Sequence, residues 1–161
     1  MDLFFSLMKD FFVMAQRLTS LIVVCGFLVG CGGGEEAKIP PLAPVSGTVK
    51  MDGKPLQGAV LSFLPKGATA GHMVTAVTDA EGKFACQYSN GAPGCPAGEY
   101  QVLISKLLTP DGKPIPEGST AADVGAVETI PMRYRDPEAP SGSVMIPQGG
   151  KTDLNYDLKS K

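Results

Sequence analysis

The residues able to do chemistry in this chain are few and scattered. A single histidine, His72, stands in Gly71-His72-Met73. A zinc site needs several ligands at short spacing, and a Ser-His-Asp arrangement needs partners with a recognisable setting. His72 has neither nearby, so it reads as a loop residue. Asp79-Ala80-Glu81-Gly82 places acids at alternate positions ahead of a glycine, as a calcium loop does. Such a loop closes on a chelating Glu at position 12, and that position here is Asn90. The four residues read as a hairpin turn. Asp136 and Glu138 beside Arg133 and Arg135 read as a solvated ion-pair patch. The chain has no Trp, so Tyr88 and Tyr134, in or beside loops, are the candidate platforms for a sugar. Tyr in a sandwich more often packs, with its hydroxyl hydrogen-bonded. No catalytic residue, cofactor or metal site is expected.

The charge balance narrows the partners. Fourteen Lys and Arg against 16 Asp and Glu leave a net charge of −2 over 161 residues. Without a basic surplus to neutralise phosphates, nucleic acid is not an expected partner.

Four cysteines remain, the first inside and the second directly after a segment unlike the rest. Residues 1–30 hold five of the seven Phe, while all 14 Pro lie beyond them. Leu18 to Gly30 is an apolar run of 13 residues behind Arg17. A cationic start, a short apolar core and a small-residue boundary make a secretory signal. Thirteen residues are too few for a spanning helix, which needs about 20. Met14 is a second possible start. The boundary Leu28-Val29-Gly30-Cys31 resembles the lipobox of bacterial lipoproteins. That resemblance implies that Cys31 becomes the N-terminus and carries acyl chains through its sulfur. Two or more chains anchor stably where one does not. It also implies a place on a bacterial membrane, facing periplasm or cell surface, and Gly32 after the Cys suits export to an outer membrane. Residues 31–44 contain Gly32-Gly33-Gly34 and Pro40-Pro41 and read as a flexible tether.

From Val45 the pattern becomes short alternating runs between turn residues. Val45–Met51, Ala59–Phe63, Met73–Thr78, Phe84–Tyr88, Tyr100–Ile104, Ser143–Ile146 and Leu154–Leu158 predict seven strands. No amphipathic helix stands out. The spacing predicts an all-β, antiparallel sandwich over residues 45–161, behind a helical signal segment over 1–30. Residues 106–142 hold six Pro and read as a long excursion, with a short strand near Val127–Met132.

Three stretches carry a family resemblance: Val45-Ser-Gly-Thr-Val-Lys-Met-Asp-Gly-Lys-Pro-Leu-Gln-Gly-Ala-Val-Leu-Ser-Phe63, Thr78-Asp-Ala-Glu-Gly-Lys-Phe84 and Pro96-Ala-Gly-Glu-Tyr-Gln-Val102. They resemble the carboxypeptidase regulatory-like (transthyretin-like, prealbumin-like) domain, as found alone in small surface lipoproteins. Ile130-Pro-Met-Arg-Tyr-Arg-Asp-Pro137 and Leu154-Asn-Tyr-Asp-Leu158 suit the same group. The resemblance implies a seven-stranded Greek-key sandwich, with no catalytic domain attached. Hydrolases of the transthyretin fold use several His, an Arg and a C-terminal Tyr-Arg-Gly-Ser. This chain has one His and ends Tyr156-Asp-Leu-Lys-Ser-Lys161.

Once Cys25 leaves with the signal and Cys31 is acylated, Cys86 and Cys95 are the remaining thiols. An oxidising compartment and an even count favour a disulfide; two buried free thiols are the alternative. The reading is a lipid-anchored, non-catalytic sandwich with a structural or protein-binding role at the cell envelope. Carbohydrate binding is the second possibility.

Overall fold

Side-chain alternation decides which face of each strand is dry, and in the computed structural model that rule builds two facing sheets. The structure describes residues 39–69, 71–139 and 142–161. The expected helical signal segment and Cys31 lie outside them. The twelve strands are β1 (Leu42–Ala43), β2 (Val45–Met51), β3 (Lys54–Pro55), β4 (Val60–Pro65), β5 (Val74–Val77), β6 (Lys83–Ala85), β7 (Cys95–Pro96), β8 (Gly98–Ser105), β9 (Leu107–Leu108), β10 (Val127–Glu128), β11 (Ser143–Ile146) and β12 (Lys151–Leu158). The described chain is all-β, with a 3-10 turn at Met132–Tyr134.

The first sheet runs β11-β8-β4-β5 and is antiparallel throughout. The second runs β12-β2-β3, with β6 also paired to β2. Short pairs β1–β7 and β9–β10 complete the set. Each of the seven expected runs contains or overlaps a strand, the short strand expected near Val127–Met132 forms at Val127–Glu128, and four two-residue strands are added. Two expectations change. The tether expected up to residue 44 already pairs at Leu42 with Pro96 and at Ala43 with Cys95. The second sheet is not wholly antiparallel, because β12 lies parallel to β2, Leu154 opposite Gly47 and Tyr156 opposite Val49. Alternation sets which residues face inward and leaves strand direction open.

Between the sheets lies one apolar layer. Leu61, Phe63, Val74, Tyr100, Val102 and Ile146 come from the first sheet, and Val45, Val49, Phe84, Leu154 and Leu158 from the second. The Phe63 ring stands 6.3 Å from Phe84 of the other sheet and 6.3 Å, nearly edge-on, from Tyr100. Phe84 in turn lies 6.2 Å from Tyr156.

Two glycines are fixed by this packing. A side chain on Gly47 would occupy the space of the Leu154 carbonyl where β12 runs alongside. Gly82 has φ +73°, and a Cβ there would lie 2.5 Å from the Val49 oxygen. Gly82 ends the Asp79 turn, whose carboxylate Oδ1 accepts the N–H groups of Glu81 at 3.0 Å and Lys83 at 2.8 Å. Asp79 is therefore committed to a turn, as its hairpin setting requires.

Thr78 is a buried hydroxyl with a structural task. Its Oγ1 donates to the Leu56 carbonyl at 2.5 Å and accepts the Ala59 N–H at 2.8 Å. Thr78→Val keeps the shape and leaves both backbone groups unpaired. Such a loss costs about 1–3 kcal/mol, so urea unfolding of the variant is expected to show a lower midpoint at unchanged slope.

Candidate functional site

Cys86 and Cys95 are both buried and both free thiols, which corrects the expected disulfide. Register supplies the reason. Gln87 bridges Pro93, and the Gly94 N–H donates to the Cys86 carbonyl at 2.9 Å. Cys86 thus faces Gly94 across the turn, and Cys95 falls one residue out of step. Burial pushes the Cys86 thiol up to about 12, with a further contribution from Cys95. Burial also raises Cys95, against a hydrogen bond with Tyr100 that lowers it. Neither is a reactive thiolate.

Two measurements follow. A thiol reagent at pH 8 is expected to leave both cysteines untouched in the native protein and to label both in urea; a chain that takes no label in urea without reductant holds the disulfide instead. The pH dependence carries a definite sign. A thiol raised in the folded state binds its proton there while the unfolded chain has released it. Stability is then full below pH 9 and falls as pH rises towards 12. The slope for Cys86 is about 1.4 kcal/mol per pH unit. Urea midpoints at pH 8, 9.5 and 11 read it.

The aromatic candidates separate. Tyr88 is buried in the core, and its hydroxyl accepts the His72 N–H at 3.2 Å. It offers no exposed platform. The exposed His72 lies with its ring 6.3 Å from the Tyr88 ring. Among the described residues no group of three His, Cys, Asp or Glu could hold a metal ion.

Tyr134 is half-buried and borders a cleft at the side of the sandwich. Three pieces of chain form that cleft, and their sequence explains why it is open. The pairing of β11 to β8 stops at Gln101 opposite Ser143, so Val102 to Ser105 have no strand partner on that side. β12 ends its own sheet and leaves a second free edge. Residues 131–139 lie across the gap, because Pro131 and Pro137 suit a strap and not a strand. The result encloses about 200 Å³. Val102, Ile104 and Leu158 give it apolar walls, Tyr134 and Tyr156 add rings, and Gln101, Asn155, Asp157, Arg133 and Asp136 add polar groups.

The strap is fastened at both ends. Arg135 Nε donates to the Ile130 carbonyl at 3.0 Å. Gln101 Nε2 donates to the Ala139 carbonyl at 2.7 Å. Arg133 donates to the carbonyls of Lys159 and Lys161, and its guanidinium lies 5.1 Å from the Tyr134 ring centre. The Tyr134 hydroxyl accepts the Lys159 N–H at 3.0 Å. Hydrogen bonding to Arg133 and then to this N–H lowers the Tyr134 phenol below its ordinary value. Lys159 Nζ, 3.0 Å from Asp157 Oδ2, holds the Asp157 carboxyl below the usual range. Tyr156 differs from both. Its hydroxyl is buried without a hydrogen-bond partner, and burial raises its pKa well above an ordinary phenol.

Of the residues singled out in sequence, the cleft brings together Arg133, Tyr134 and Asp136, and it adds Gln101, Asn155, Tyr156 and Asp157. The added residues carry little signal. Asn155 and Asp157 read as the wet side of β12, and Gln101 as the wet side of β8, until the strap covers it. The buried Gln101, 3% exposed, is the one trace a sequence could not supply.

No family model matches the chain, and no curated protein matches it. Among solved structures, the chain is similar to a DUF3823 family protein from Parabacteroides merdae, with 15% identity and a TM-score of 0.36. That match covers 74% of this chain and 47% of the other. It is also similar to part of a 9R-lipoxygenase from Cyanothece, with 16% identity and a TM-score of 0.35, over 79% of this chain and 18% of the enzyme. The chain spans under half the length of either. Overlaps this loose assign neither a family nor an activity.

Proposed function

We propose that the chain is a carboxypeptidase regulatory-like, prealbumin-type sandwich, exported and lipid-anchored through Cys31, that binds a protein partner at the cell envelope without catalysis. The observation that carries this reading is a run of apolar side chains on the outside of the first sheet. Val60 and Val77 sit opposite each other on β4 and β5 and are 40% and 62% exposed. Val60 also borders a groove of about 520 Å³ with Leu107, Leu108, Pro114 and Ile115. Val127, paired with Leu108, is 56% exposed. Contiguous apolar surface on a soluble face marks a protein contact. By contrast, the outward face of the second sheet carries Lys50, Lys83, Asn155 and Asp157, which favour water.

The test places a photo-cross-linking residue at Val77 and, in a second variant, at Lys83, in cells making the full chain. A single envelope protein captured from position 77 and not from 83 supports the reading. Equal background capture from both overturns it. With the photo-cross-linking residue moved to Val127, Val77→Asp is expected to lose the captured partner with no change in melting temperature, since the Val77 side chain is already 62% exposed.

A second reading is favoured by the side cleft. Two tyrosines and several amide and carboxylate groups converge there, a combination suited to carbohydrate.

A further inference from the structure

We infer that the side cleft under the 131–139 strap is a binding site for one uncharged sugar ring, an assignment that rests on the carbohydrate reading and gives it a place and a ligand class. Size comes first. Drug-sized pockets start at about 300 Å³, and the cleft holds about 200 Å³, enough for a single ring and not for a chain. The lining then selects the chemistry. The lining leaves both donors and acceptors uncommitted among the described residues: the Tyr156 hydroxyl has no partner, and the carbonyl bonds of Arg133 use Nη2 alone. Asp136 uses Oδ1 for the Glu138 N–H at 2.9 Å and makes no ion pair. Asp157 gives Oδ2 to Lys159, and its carboxylate also takes the Gly53 N–H. Gln101 spends its nitrogen on Ala139 and keeps its oxygen. A mixed set of donors and acceptors calls for a ligand that offers both, and sugar hydroxyls do so.

Charge excludes the simpler alternatives. Arg133 and Lys159 stand beside Asp136 and Asp157, so the cleft is balanced and attracts neither an anion nor a cation. Arg133 Nη2 is spent on the carbonyls of Lys159 and Lys161, which ties the guanidinium to the C-terminal residues. The C–H face of a sugar fits the apolar part of the lining, where Val102, Ile104 and the two Tyr rings meet. The free edge of β8 beyond Gln101 adds main-chain groups at the same place.

The experiment is saturation-transfer NMR on the full chain in detergent. The probes are the methyl glycosides of glucose, galactose, mannose and N-acetylglucosamine, with glucuronic acid as the charged control. Asp136→Ala removes an acceptor, and Ala139→Leu adds bulk to the cleft; each variant is checked for an unchanged melting temperature. At least one methyl glycoside is expected to bind, glucuronic acid is not, Asp136→Ala is expected to weaken binding about tenfold, and Ala139→Leu to abolish it. A glycoside that binds both variants as it binds the parent overturns this site and leaves the carbohydrate reading standing. Preference for glucuronic acid overturns the uncharged class. Failure of every glycoside to bind the parent chain overturns the carbohydrate reading and this site with it.

Discussion

Phe63→Ala is expected to remove about 3–5 kcal/mol of stability. Phe63 is fully buried on β4, and its ring is the point where the two sheets meet, with Phe84 on one side and Tyr100 on the other. Truncation removes the ring's own burial and leaves a cavity that two sheets cannot close by sliding, because each is pinned by its ladder. Domains of this size are stable by roughly 5–15 kcal/mol, so the loss takes a large share. The melting temperature is expected to fall by about 10–25 °C. Phe63→Leu refills most of the volume, and its fall is expected to be less than half as large. A drop under about 5 °C for the Ala variant would mean that Phe63 does not bridge the sheets, and the sandwich as described would be wrong. The surface change Val77→Asp is the control, since it touches the same sheet without touching the layer between sheets.

What could be read from the sequence follows from how far its signals reach. The runs at Val45–Met51, Tyr100–Ile104 and Leu154–Leu158 alternate over five residues or more, and each forms strand with the expected inward set. Two-residue strands such as Leu107–Leu108 have no period to detect. The parallel entry of β12 beside β2 was not legible either, because alternation is the same whichever way a strand runs. Cys86 and Cys95 were misjudged for a related reason. Parity and compartment concern whether two thiols exist to pair, whereas a bond also needs the register to bring them together. Tyr88 was misplaced because a tyrosine among Ser, Asn and Gly looks like a loop residue, and its hydroxyl turned out to be held from within, by the His72 N–H. The cleft was the least legible part. It depends on where β11 stops and on a proline-rich strap crossing from one sheet to the other, and no local pattern encodes either.

Trypsin digestion of the full chain isolated from bacterial membranes is expected to give no intact 18–38 peptide and, in its place, a lipid-modified peptide of residues 31–38. The sequence sets the cut sites at Arg17 and Lys38, so processing at Cys31 and its modification fall within one fragment. The energetic case concerns retention. One myristoyl-length chain partitions into bilayers with a constant of about 10⁴ M⁻¹, which is reversible, and a second independent chain multiplies it to about 10⁸ M⁻¹. A domain with a net charge of −2 has no electrostatic means of its own to stay on an anionic surface. Anchoring then rests on the sulfur at position 31. Cys31→Ser removes the atom that forms the thioether, and its membrane form is expected to show the intact 18–38 peptide with no lipid mass. The decisive comparison is the parent's 31–38 peptide. An unmodified Cys31 at a free N-terminus would show an ordinary secreted domain and end the lipoprotein reading. An intact 18–38 peptide from the parent would leave residues 1–30 as the anchor. In both of those cases the protein-binding face on β4 and β5 would still be open to the cross-linking test, because nothing in that face depends on how the domain is held.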